Sequence, residues 1–405
     1  MSLFFFKKII REIFYTISFI VSLINLISFL IKVDIKNKKV FLQPEGGFAH
    51  TVLTPEVLKR LYPKNEWLIV FGHDPKRHNK FIKDLYLNNF YWLDLSLNIN
   101  KLSHIKDYYK NKVFLILEYY LKIKKIDYAY YVDFIQKYEN FDKKKINQKF
   151  NKENLLMHEY NAYKIFSNCE IKSKDDLINE NIKKLNLNFN LRKKCGFGYK
   201  KKNIHFYTNQ RSTDDINNYK KSFFSLVENG YDIYLYGDEI NHLPIWFGEI
   251  EKNIFHQKKL KISKNKFNFW SGLICDCFIG PSSGASSWKY IFHNKPQLII
   301  DSYPIGWGFY NSVISFKIVI KHNFIKSVDE LLDDQIYLLR KPPFQTRNTN
   351  EDEKNLIINN FIKSISNKTD EVLDPKDLKL SKDHPLLWSN SLISKSWYNL
   401  QKNNL

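Results

Sequence analysis

Residues 278–288 read FIGPSSGASSW, so an apolar run stops at a loop of small and turn-forming residues and the chain is then ready to begin a helix. On both sides of this loop, short apolar runs alternate with amphipathic segments. We predict strands in NIHFYTN (203–209), YDIYLYGD (231–238), DCFIG (276–280) and QLIID (297–301), and helices in residues 214–228, KFNFWSGLI (266–274) and ASSWKYIF (285–292). Strands that alternate with helices predict a parallel, doubly wound sheet with right-handed crossovers.

The small-residue loop is suited to hold an anion, and a diphosphate is the expected ligand. In an open parallel sheet, ligands bind beyond the carboxyl ends of the strands, where loops lead into helix amino termini. Gly280 and Gly284 let the backbone approach a ligand, and Ser282 and Ser283 offer hydroxyl groups. The first turn of the following helix presents free N–H groups to an anion. The alternative is that one of the two serines only caps that helix.

This loop differs from the two commonest phosphate-binding motifs. No lysine follows Gly284 at the Walker position, and the pattern is not G-x-G-x-x-G. A cation from elsewhere in the chain is therefore expected to neutralise the phosphate. Arg211, in TNQRSTDD (208–215), is the best candidate because it follows the first predicted strand of this half. A guanidinium contact with a phosphate contributes about 1.5–3 kcal/mol, more than the ~0.3–1 kcal/mol of a helix dipole.

A second glycine-containing loop occurs in the first half of the chain. The stretch KVFLQPEGGFAHTVLTPEVLKRLYP (39–63) predicts a strand, a loop with Gly46 and Gly47, and then a helix. Glu45 and His50 are the titratable residues of this loop, and either is a candidate general base. The alternatives are a structural, hydrogen-bonded histidine at position 50 and a loop or capping carboxylate at position 45. One such loop in each half suggests a ligand-binding cleft between two domains.

The remaining patterns predict the domain organisation. EWLIVFGHD (66–74) and NNFYWLDLS (88–96) are predicted strands, and residues 112–125 form either a helix or a strand. A region rich in Lys, Asn and Asp precedes the second half, so we place the interdomain connection around 190–202. The expected parts are an amino-terminal helix (1–36), two α/β domains (37–200 and 201–368) and a tail (369–405) with one helix around 386–400.

The amino-terminal segment predicts attachment to a membrane. Residues 13–31 carry no charge and include thirteen Ile, Leu, Val or Phe side chains among nineteen. As a helix they would be about 28 Å long, close to the thickness of the hydrocarbon core. However, Ser18, Ser22, Asn25 and Ser28 fall on one side of that helix, as expected for one that lies in the interface or packs against a partner. Spanning and in-plane attachment therefore both stay open, with a preference for a cytoplasmic body from the flanking lysines.

The composition limits the classes of function. With 63 Lys plus Arg against 42 Asp plus Glu, the chain of 405 residues has a formal charge of +21, which favours polyanionic partners. A nucleic-acid-binding protein is disfavoured because the sequence has no helix-turn-helix, zinc-finger or RNP pattern. The four cysteines are too few for a disulfide framework and indicate a reducing compartment. Cys275 and Cys277 form a C-x-C without a second pair, which favours buried thiols over a metal site.

Two of these stretches resemble a known family. GGFAHTVLTPEVLKRLYP (46–63) and CFIGPSSGASSWKYIFHNKPQLIID (277–301) are similar to glycosyltransferases with two Rossmann-like domains, the GT-B architecture, and in particular to bacterial heptosyltransferase-like enzymes of surface-polysaccharide assembly. The resemblance covers about residues 38–65 and 203–305. It departs from the family in two places: His50 stands within one residue of the position of a catalytic Asp, and Ser282 stands where Asn or Asp is common.

The resemblance implies a metal-independent transfer without a cofactor. The amino-terminal domain would hold a lipid-linked or membrane-proximal glycan acceptor, and the carboxyl-terminal domain a nucleotide-sugar donor. Ser282, Ser283, Gly284 and Ala285 would bind the donor diphosphate, Arg211 would neutralise the leaving phosphate, and Gly237 and Asp238 would contact the ribose or base. For Asp238 the alternative is a helix cap. The expected location is the cytoplasmic face of the inner membrane, and the oligomeric state stays open. A sugar-nucleotide epimerase of the same architecture is the alternative enzyme.

Overall fold

The chain folds into two compact units, Met1–Phe141 and Asp142–Leu405. A computed structural model of the chain describes residues 3–44, 48–62, 64, 66–72, 86, 89–93, 103–131, 133–134, 192–200, 213, 215–238, 243–281, 295–303, 312–321, 327–334, 345–367, 371–381, 384–388 and 391–405. Each unit contains a parallel sheet with helices, so the predicted α/β class with two Rossmann-like domains is confirmed. The placement of the two domains across a cleft stays a prediction.

The first unit is built on a four-stranded parallel sheet. Its strands lie in the order β3-β2-β1-β4 and are β1 (Lys39–Gln43), β2 (Trp67–Phe71), β3 (Phe90–Trp92) and β4 (Tyr128–Tyr130). The helices are α1 (Leu3–Lys32), α2 (Phe48–Leu61) and α3 (Ser103–Ile123). The three strands and the helix predicted over residues 39–96 are confirmed, as is the amino-terminal helix. Residues 112–125, which the sequence left open between helix and strand, belong mostly to α3.

One face of the first sheet forms the core of this unit. Alternate residues of a strand point to the same face, and Val40, Leu42, Leu68 and Val70 supply buried side chains to a single cluster. Two helices complete this cluster, α1 with Leu26 and Phe29, and α3 with Val113, Phe114, Leu117 and Leu121. The amino-terminal helix is therefore packed into the first unit, and 1–36 is not a separate part.

The second unit is built on an eight-stranded sheet. Its strands are β5 (Lys193–Tyr199), β6 (Tyr231–Gly237), β7 (Ile254–Phe255), β8 (Cys277–Gly280), β9 (Gln297–Ser302), β10 (Val313–Phe316), β13 (Val372–Leu373) and β14 (Leu392–Ser394). They lie in the order β13-β14-β10-β9-β8-β5-β6-β7, and all neighbours are parallel except β13 and β14. A separate antiparallel pair joins β11 (Ile318–Lys321) to β12 (Gln345–Arg347).

The helices of the second unit follow the predicted alternation where the chain is described. They are α4 (Lys220–Glu228), α5 (Lys264–Ile274), α6 (Val328–Asp334), α7 (Glu351–Asn367), α8 (Pro385–Trp388) and α9 (Lys395–Lys402). The predicted strands over 231–238, 276–280 and 297–301 are confirmed, as are the helices over 214–228 and 266–274. The predicted strand at 203–209 and helix at 285–292 lie outside the described residues.

The interdomain connection predicted around 190–202 is wrong, because β5 lies there. Its residues Lys193–Tyr199 pair in parallel with β6 on one side and β8 on the other, which places β5 inside the second sheet. The domain boundary therefore precedes residue 193. Glycines suit this strand because aromatic rings cover them: a Cβ at Gly196 would lie 2.6 Å from the Phe278 ring.

The carboxyl-terminal residues 369–405 are also part of the second sheet and not a tail. The single helix predicted around 386–400 is wrong, because β14 separates α8 from α9 and pairs with β10. Trp397 of α9 is completely buried, with its ring centroid 5.0 Å from that of Phe316. The Val319 amide donates to Gln401 Oε1 at 2.8 Å, and Gln401 Nε2 donates to the Val319 carbonyl at 3.3 Å. These contacts fix the end of the chain to the sheet.

Candidate active site

Each sheet has one point where the chain reverses the direction in which it adds strands. In the second sheet, β6 and β7 follow β5 on one side, whereas β8, β9 and β10 extend the sheet on the other side of β5. In the first sheet, β2 and β3 follow β1 on one side and β4 lies on the other. In open α/β sheets, ligands bind outside the carboxyl ends of the strands at such a switch point. The topology therefore indicates one site between β5 and β8 and another between β1 and β4.

Both predicted glycine-containing loops begin at a switch point. Strand β8 ends at Gly280, and β1 ends at Gln43, two residues before the loop that contains Gly46 and Gly47. His50 lies in α2, but its side chain is outside the described part of the chain. The other predicted site residues of these loops also lie outside the described residues: Glu45, Gly46, Gly47, Arg211, Ser282, Ser283, Gly284 and Ala285.

Three glycines meet where β5, β6 and β8 end. A Cβ at Gly280 would lie 3.2 Å from both the Cα and the carbonyl oxygen of Gly198, closer than ordinary van der Waals contact. Gly237 has φ +102°, and a Cβ there would lie 2.3 Å from the carbonyl oxygen of Tyr199. A side chain at either position would displace a neighbouring strand end. We call Gly198, Tyr199, Gly237, Asp238 and Gly280 the switch-point edge.

Asn268 of α5 fixes the end of β6 at this edge. The Gly237 amide donates to Asn268 Oδ1 at 2.9 Å, and Asn268 Nδ2 donates to the Gly237 carbonyl at 3.2 Å. The Asp238 amide donates to the Tyr199 carbonyl at 2.7 Å, so the chain is held to β5 just beyond β6. These three hydrogen bonds make the positive φ of Gly237 a rigid feature of the edge.

Asp238 is placed at the edge but is not the cap of α5. Its Oδ1 lies 3.0 Å from Nζ of Lys264, and both side chains are about half exposed. Ser263 caps α5 instead, because its hydroxyl accepts from the Lys266 amide at 3.4 Å. Asp238 therefore presents a carboxylate, paired with a lysine, to solvent at the end of β6. A partly exposed carboxylate at this place can accept hydrogen bonds from ribose hydroxyls.

Tyr199 is a neutral hydrogen-bonding group at the edge. Burial raises the pKa of its phenol, and the negative charges of Asp238 and Asp215 raise it further. Sequence reasoning missed this residue because KKCGFGY (193–199) was assigned to a linker. The signal was present, since Cys195, Phe197 and Tyr199 alternate with Lys or Gly at the period of a strand.

Thr213 lies beside the same edge and is hydrogen-bonded to Gly198 and Lys200. Its amide donates to the Lys200 carbonyl at 2.9 Å, and its hydroxyl accepts from the Lys200 amide at 2.8 Å. The hydroxyl also donates to the Gly198 carbonyl at 3.4 Å. Thr213 belongs to TNQRSTDD (208–215) and is two residues from the predicted cation, Arg211, in the sequence. These hydrogen bonds hold Thr213 at the carboxyl end of β5.

The elements at the switch point of the first sheet carry buried polar side chains. Gln43 ends β1, is only 1% exposed, and its side-chain amide has no hydrogen-bond partner among the described residues. Thr54 of α2 and Tyr131, directly after β4, are completely buried. Burial raises the pKa of the Tyr131 phenol, although its interaction with Thr54 acts in the opposite direction. A buried, unpaired amide is costly unless a ligand or water satisfies it, so Gln43 is a candidate ligand-binding residue that the sequence did not single out.

Three cysteines lie at the opposite end of the second sheet. Cys195 and Cys277 are paired across β5 and β8, and Cys195, Cys275 and Cys277 are buried free thiols. Contact with Cys277 and burial raise the pKa of Cys195, and burial raises that of Cys275. Across the described ranges, no group of three or more His, Cys, Asp or Glu could hold a metal ion. Metal independence stays a prediction, and Cys169 lies outside the described residues.

Comparisons with known proteins were made with the sequence and with the structure. No protein-family profile matches the sequence, and no curated protein is significantly similar to it. A glycosyltransferase family 9 structure from Veillonella parvula matches with TM-score 0.38 and 12% identity, covering 74% of this chain and 91% of that one. ADP-heptose lipopolysaccharide heptosyltransferase II of E. coli matches with TM-score 0.38 and 11% identity, covering 70% and 91%.

A third similar structure is the dodecameric, iron-containing heptosyltransferase TibC of E. coli in complex with ADP-D-β-D-heptose. It matches with TM-score 0.39 and 11% identity, covering 83% of this chain and 78% of that one. All three TM-scores lie below 0.5. The α/β fold of the two units is shown by their parallel sheets.

Proposed function

We propose that this protein transfers a sugar from a nucleotide-sugar donor to a hydroxyl group of a glycan acceptor, as a glycosyltransferase of the GT-B architecture. One observation carries the proposal. The loop that begins after Gly280 starts at the switch point between β5 and β8, where Gly198, Gly237 and Gly280 allow close backbone contacts between the strand ends. A loop of small residues beyond strand ends at a switch point suits a diphosphate, because its backbone amides can reach the phosphate oxygens.

The donor would bind along the switch-point edge. In the proposal, Ser282, Ser283, Gly284 and Ala285 hold the diphosphate with backbone amides and hydroxyls, while Gly237 and Asp238 contact the ribose or base. Arg211 supplies the positive charge, and the anchored Thr213 two residues later in the chain supports a role at this edge. The contact with Arg211 gains most in the transition state, because negative charge accumulates on the leaving phosphate as its bond to the sugar breaks.

The acceptor would bind at the switch point of the first sheet. In the transfer, the acceptor oxygen forms a bond to the anomeric carbon while the bond from that carbon to the diphosphate oxygen breaks. The electron pair leaves with the nucleoside diphosphate, and the acceptor proton passes to a base, either His50 or Glu45. Gly46 and Gly47 leave room for the acceptor, and the Gln43 amide is available to bind one of its hydroxyl groups.

The acceptor is proposed to be lipid-linked or membrane-proximal, as in surface-polysaccharide synthesis at the cytoplasmic face of the inner membrane. The charge of +21 supports a location beside anionic lipid. The transfer is proposed to be metal-independent, since backbone amides and Arg211 would neutralise the diphosphate in the proposed site. Neither the donor sugar nor its nucleotide follows from these residues, so the test must survey the nucleotides.

The proposal is tested by thermal denaturation with UDP, GDP, ADP, dTDP and CMP in turn. One of them is expected to raise Tm, because a ligand at about 100 times its Kd stabilises the folded state by about 2.7 kcal/mol. Gly280→Val should abolish that shift, whereas Gly248→Val should keep it, since a Cβ at Gly248 meets no atom within 4 Å. If none of the five nucleotides changes Tm at millimolar concentration, the proposed donor site is wrong.

Two variants then test the chemistry. Arg211→Ala is expected to lower turnover by more than about tenfold with the fold intact. His50→Ala is expected to abolish transfer and leave nucleotide binding unchanged, and retained transfer would assign the base to Glu45. Incubation of the preferred nucleotide-sugar without acceptor separates the alternative enzyme, because an epimerase would convert the donor sugar under these conditions and a transferase would not.

A further inference from the structure

The outer face of α1 carries a continuous row of isoleucines. Ile10, Ile13, Ile17, Ile20, Ile24, Ile27 and Ile31 follow each other at alternating intervals of three and four residues, so they form one stripe along the helix. Each is between 37% and 78% exposed. We call these seven residues the isoleucine stripe. Single exposed apolar side chains are ordinary, but a contiguous apolar surface marks an interaction site.

Between Ile17 and Ile31, each exposed residue of α1 is an isoleucine. The polar residues of this stretch, Ser18, Ser22, Asn25 and Ser28, are half-buried or buried, and Ser22 is only 1% exposed. Ser22 Oγ donates to the Ser18 carbonyl at 2.8 Å, and the Asn25 carbonyl accepts from the Tyr91 hydroxyl at 2.5 Å. The most apolar face therefore points outward, as expected where the surroundings are apolar.

Helix α3 extends this apolar surface. It packs beside α1 on the same face of the first sheet, through Val113, Phe114, Leu117 and Leu121. On its other side Leu115, Ile116, Tyr119 and Ile123 are between 44% and 68% exposed. Two neighbouring helices that cover one face of a sheet thus both present apolar side chains away from it. The apolar surface therefore extends over two helices, whereas a coiled coil needs only one apolar stripe on a single helix.

The inner face of α1 packs against the core of the first unit. This packing argues against a helix that spans a bilayer. Leu26 and Phe29 are at most 2% exposed and belong to the core of the first unit. The Phe29 ring also stacks on that of Tyr91, with centroids 3.9 Å apart. A spanning helix would have to leave this core and expose the face of the sheet that it covers. The docked helix can instead lie in the plane of a membrane with the stripe toward the lipid.

The charges beside the stripe select an anionic surface. Residues 1–39 contain seven cationic side chains and two acidic ones, and Lys8 and Lys32 lie exposed near the two ends of the stripe. At the carboxyl end of α3, Lys124 and Lys125 are exposed as well. A second copy of this chain would bring like charges together in either orientation, because both ends of α1 are basic. Anionic headgroups complement both ends.

We propose that the isoleucine stripe and the exposed face of α3 bind the surface of an anionic lipid bilayer, with α1 lying in the plane of the membrane. This surface holds the enzyme on the membrane whatever reaction its switch points carry out. It resolves the choice between spanning and in-plane attachment in favour of the latter.

Sedimentation with lipid vesicles tests the proposal on the full-length protein. The probe is phosphatidylcholine vesicles with and without phosphatidylglycerol. The wild type is expected to bind the anionic vesicles and to bind the neutral ones much more weakly. A triple variant, Ile17→Gln, Ile20→Gln and Ile24→Gln, is expected to bind the anionic vesicles at least about tenfold more weakly, because it interrupts the stripe without changing charge. The fold is expected to persist, since these side chains are 44% to 59% exposed.

A matched control changes three exposed apolar residues of the second unit. Leu243→Gln, Ile245→Gln and Leu356→Gln alter side chains that are 43%, 98% and 47% exposed, and this variant is expected to bind vesicles as the wild type does. Sedimentation equilibrium without lipid completes the comparison. If the wild type is a dimer and the stripe variant a monomer, the stripe is an interface between copies and the proposal is wrong.

Depth measurements separate in-plane from spanning attachment. Ile13, Ile20 and Ile27 are seven residues apart and point in the same direction. Each is replaced in turn by cysteine and labelled with an environment-sensitive fluorophore, with quenching by spin-labelled lipids as the readout. Similar depths at the three positions are expected. A label at position 20 that lies much deeper than those at 13 and 27 would show a spanning helix and overturn the proposal, as would wild-type binding by the stripe variant.

Discussion

Gly237 at the end of β6 provides the sharpest test of the switch-point edge. Its φ of +102° disfavours any residue with a Cβ, and a Cβ there would lie 2.3 Å from the Tyr199 carbonyl oxygen. Gly237→Ala therefore combines backbone strain with a clash against the backbone of β5. The clash cannot be relieved by a side-chain rotation, because the atom in contact is a main-chain oxygen. One of the two strand ends has to move.

The size of the effect follows from two contributions. Backbone strain in a sparsely populated region costs about 1–3 kcal/mol, and forced displacement of a packed neighbour costs about 1–3 kcal/mol more. Gly237→Ala is thus expected to lower the free energy of unfolding of the second unit by about 2–6 kcal/mol. Gly230→Ala isolates the strain contribution, since Gly230 has φ +86° but a Cβ there meets no atom within 4 Å.

The assay is urea denaturation of wild type, Gly230→Ala, Gly237→Ala and Gly248→Ala, followed by circular dichroism. Gly248→Ala is expected to change stability by less than about 1 kcal/mol, because its position is open and has no positive φ. Nucleotide binding is measured in parallel, and Gly237→Ala is expected to weaken it whereas Gly230→Ala is not. Equal stabilities for the Gly230→Ala and Gly237→Ala variants would refute the close approach of β5 and β6 at this edge.

Three further substitutions test the packing of the second unit by urea denaturation. Burial lowers the pKa of Lys295 to about 8, so between about pH 8 and 10.4 the unfolded chain binds more protons than the folded one. As the pH rises through that range, the stability of the wild type relative to Lys295→Met should therefore increase by up to about 3 kcal/mol. Trp397→Ala should cost about 3–5 kcal/mol at any pH, since the side chain is fully buried. Hydrogen bonds from Arg347 lower the pKa of Glu353, so Glu353→Gln should destabilise the protein by about 1–3 kcal/mol at pH 7. The effect should shrink as the pH falls through the lowered folded-state pKa, below which the carboxyl is protonated in both states.

The sequence predicted those strands that are apolar along their whole length. In β6 and β9 nearly every residue is buried, because helices cover both faces of a parallel sheet. Such strands appear as uninterrupted apolar runs between turn-forming residues, so YDIYLYGD and QLIID were assigned correctly. The same reasoning located the loop after Gly280 at a strand end, since the apolar run stops there.

Strand β5 is not an uninterrupted apolar run, because residues distant in the sequence require glycines at two of its positions. Gly196 and Gly198 are required by the rings of Phe278 and Tyr236, which lie against them from the neighbouring strands. In the sequence these glycines and the flanking lysines resemble a linker. Strand β14 was missed for a related reason, because three residues gain strand character only through pairing with β10. Both errors placed domain boundaries inside the second sheet.

The orientation of α1 also depended on tertiary contacts. The sequence supplied a long apolar helix with one polar side, which fits a spanning helix, an interfacial helix or a packed helix. The structure shows that Ser18, Ser22, Asn25 and Ser28 are half-buried or buried and that Leu26 and Phe29 reach the core of the first unit. Only this docking shows which face of the helix is exposed.

The position of the candidate site follows from topology, and its chemistry from individual residues. At a switch point the helices that follow two adjacent strands leave toward opposite faces of the sheet, so neither helix covers the strand ends between them. Backbone amides remain accessible there in any sequence with this strand order. Glycines at 198, 237 and 280 allow the ends of β5, β6 and β8 to approach closely, and Asn268 hydrogen-bonds both polar groups of Gly237, so the amides that would bind an anion belong to the loops beyond the edge. Strand order thus positions the anion site, whereas the identity of the sugar and the base depends on the loops that extend from it.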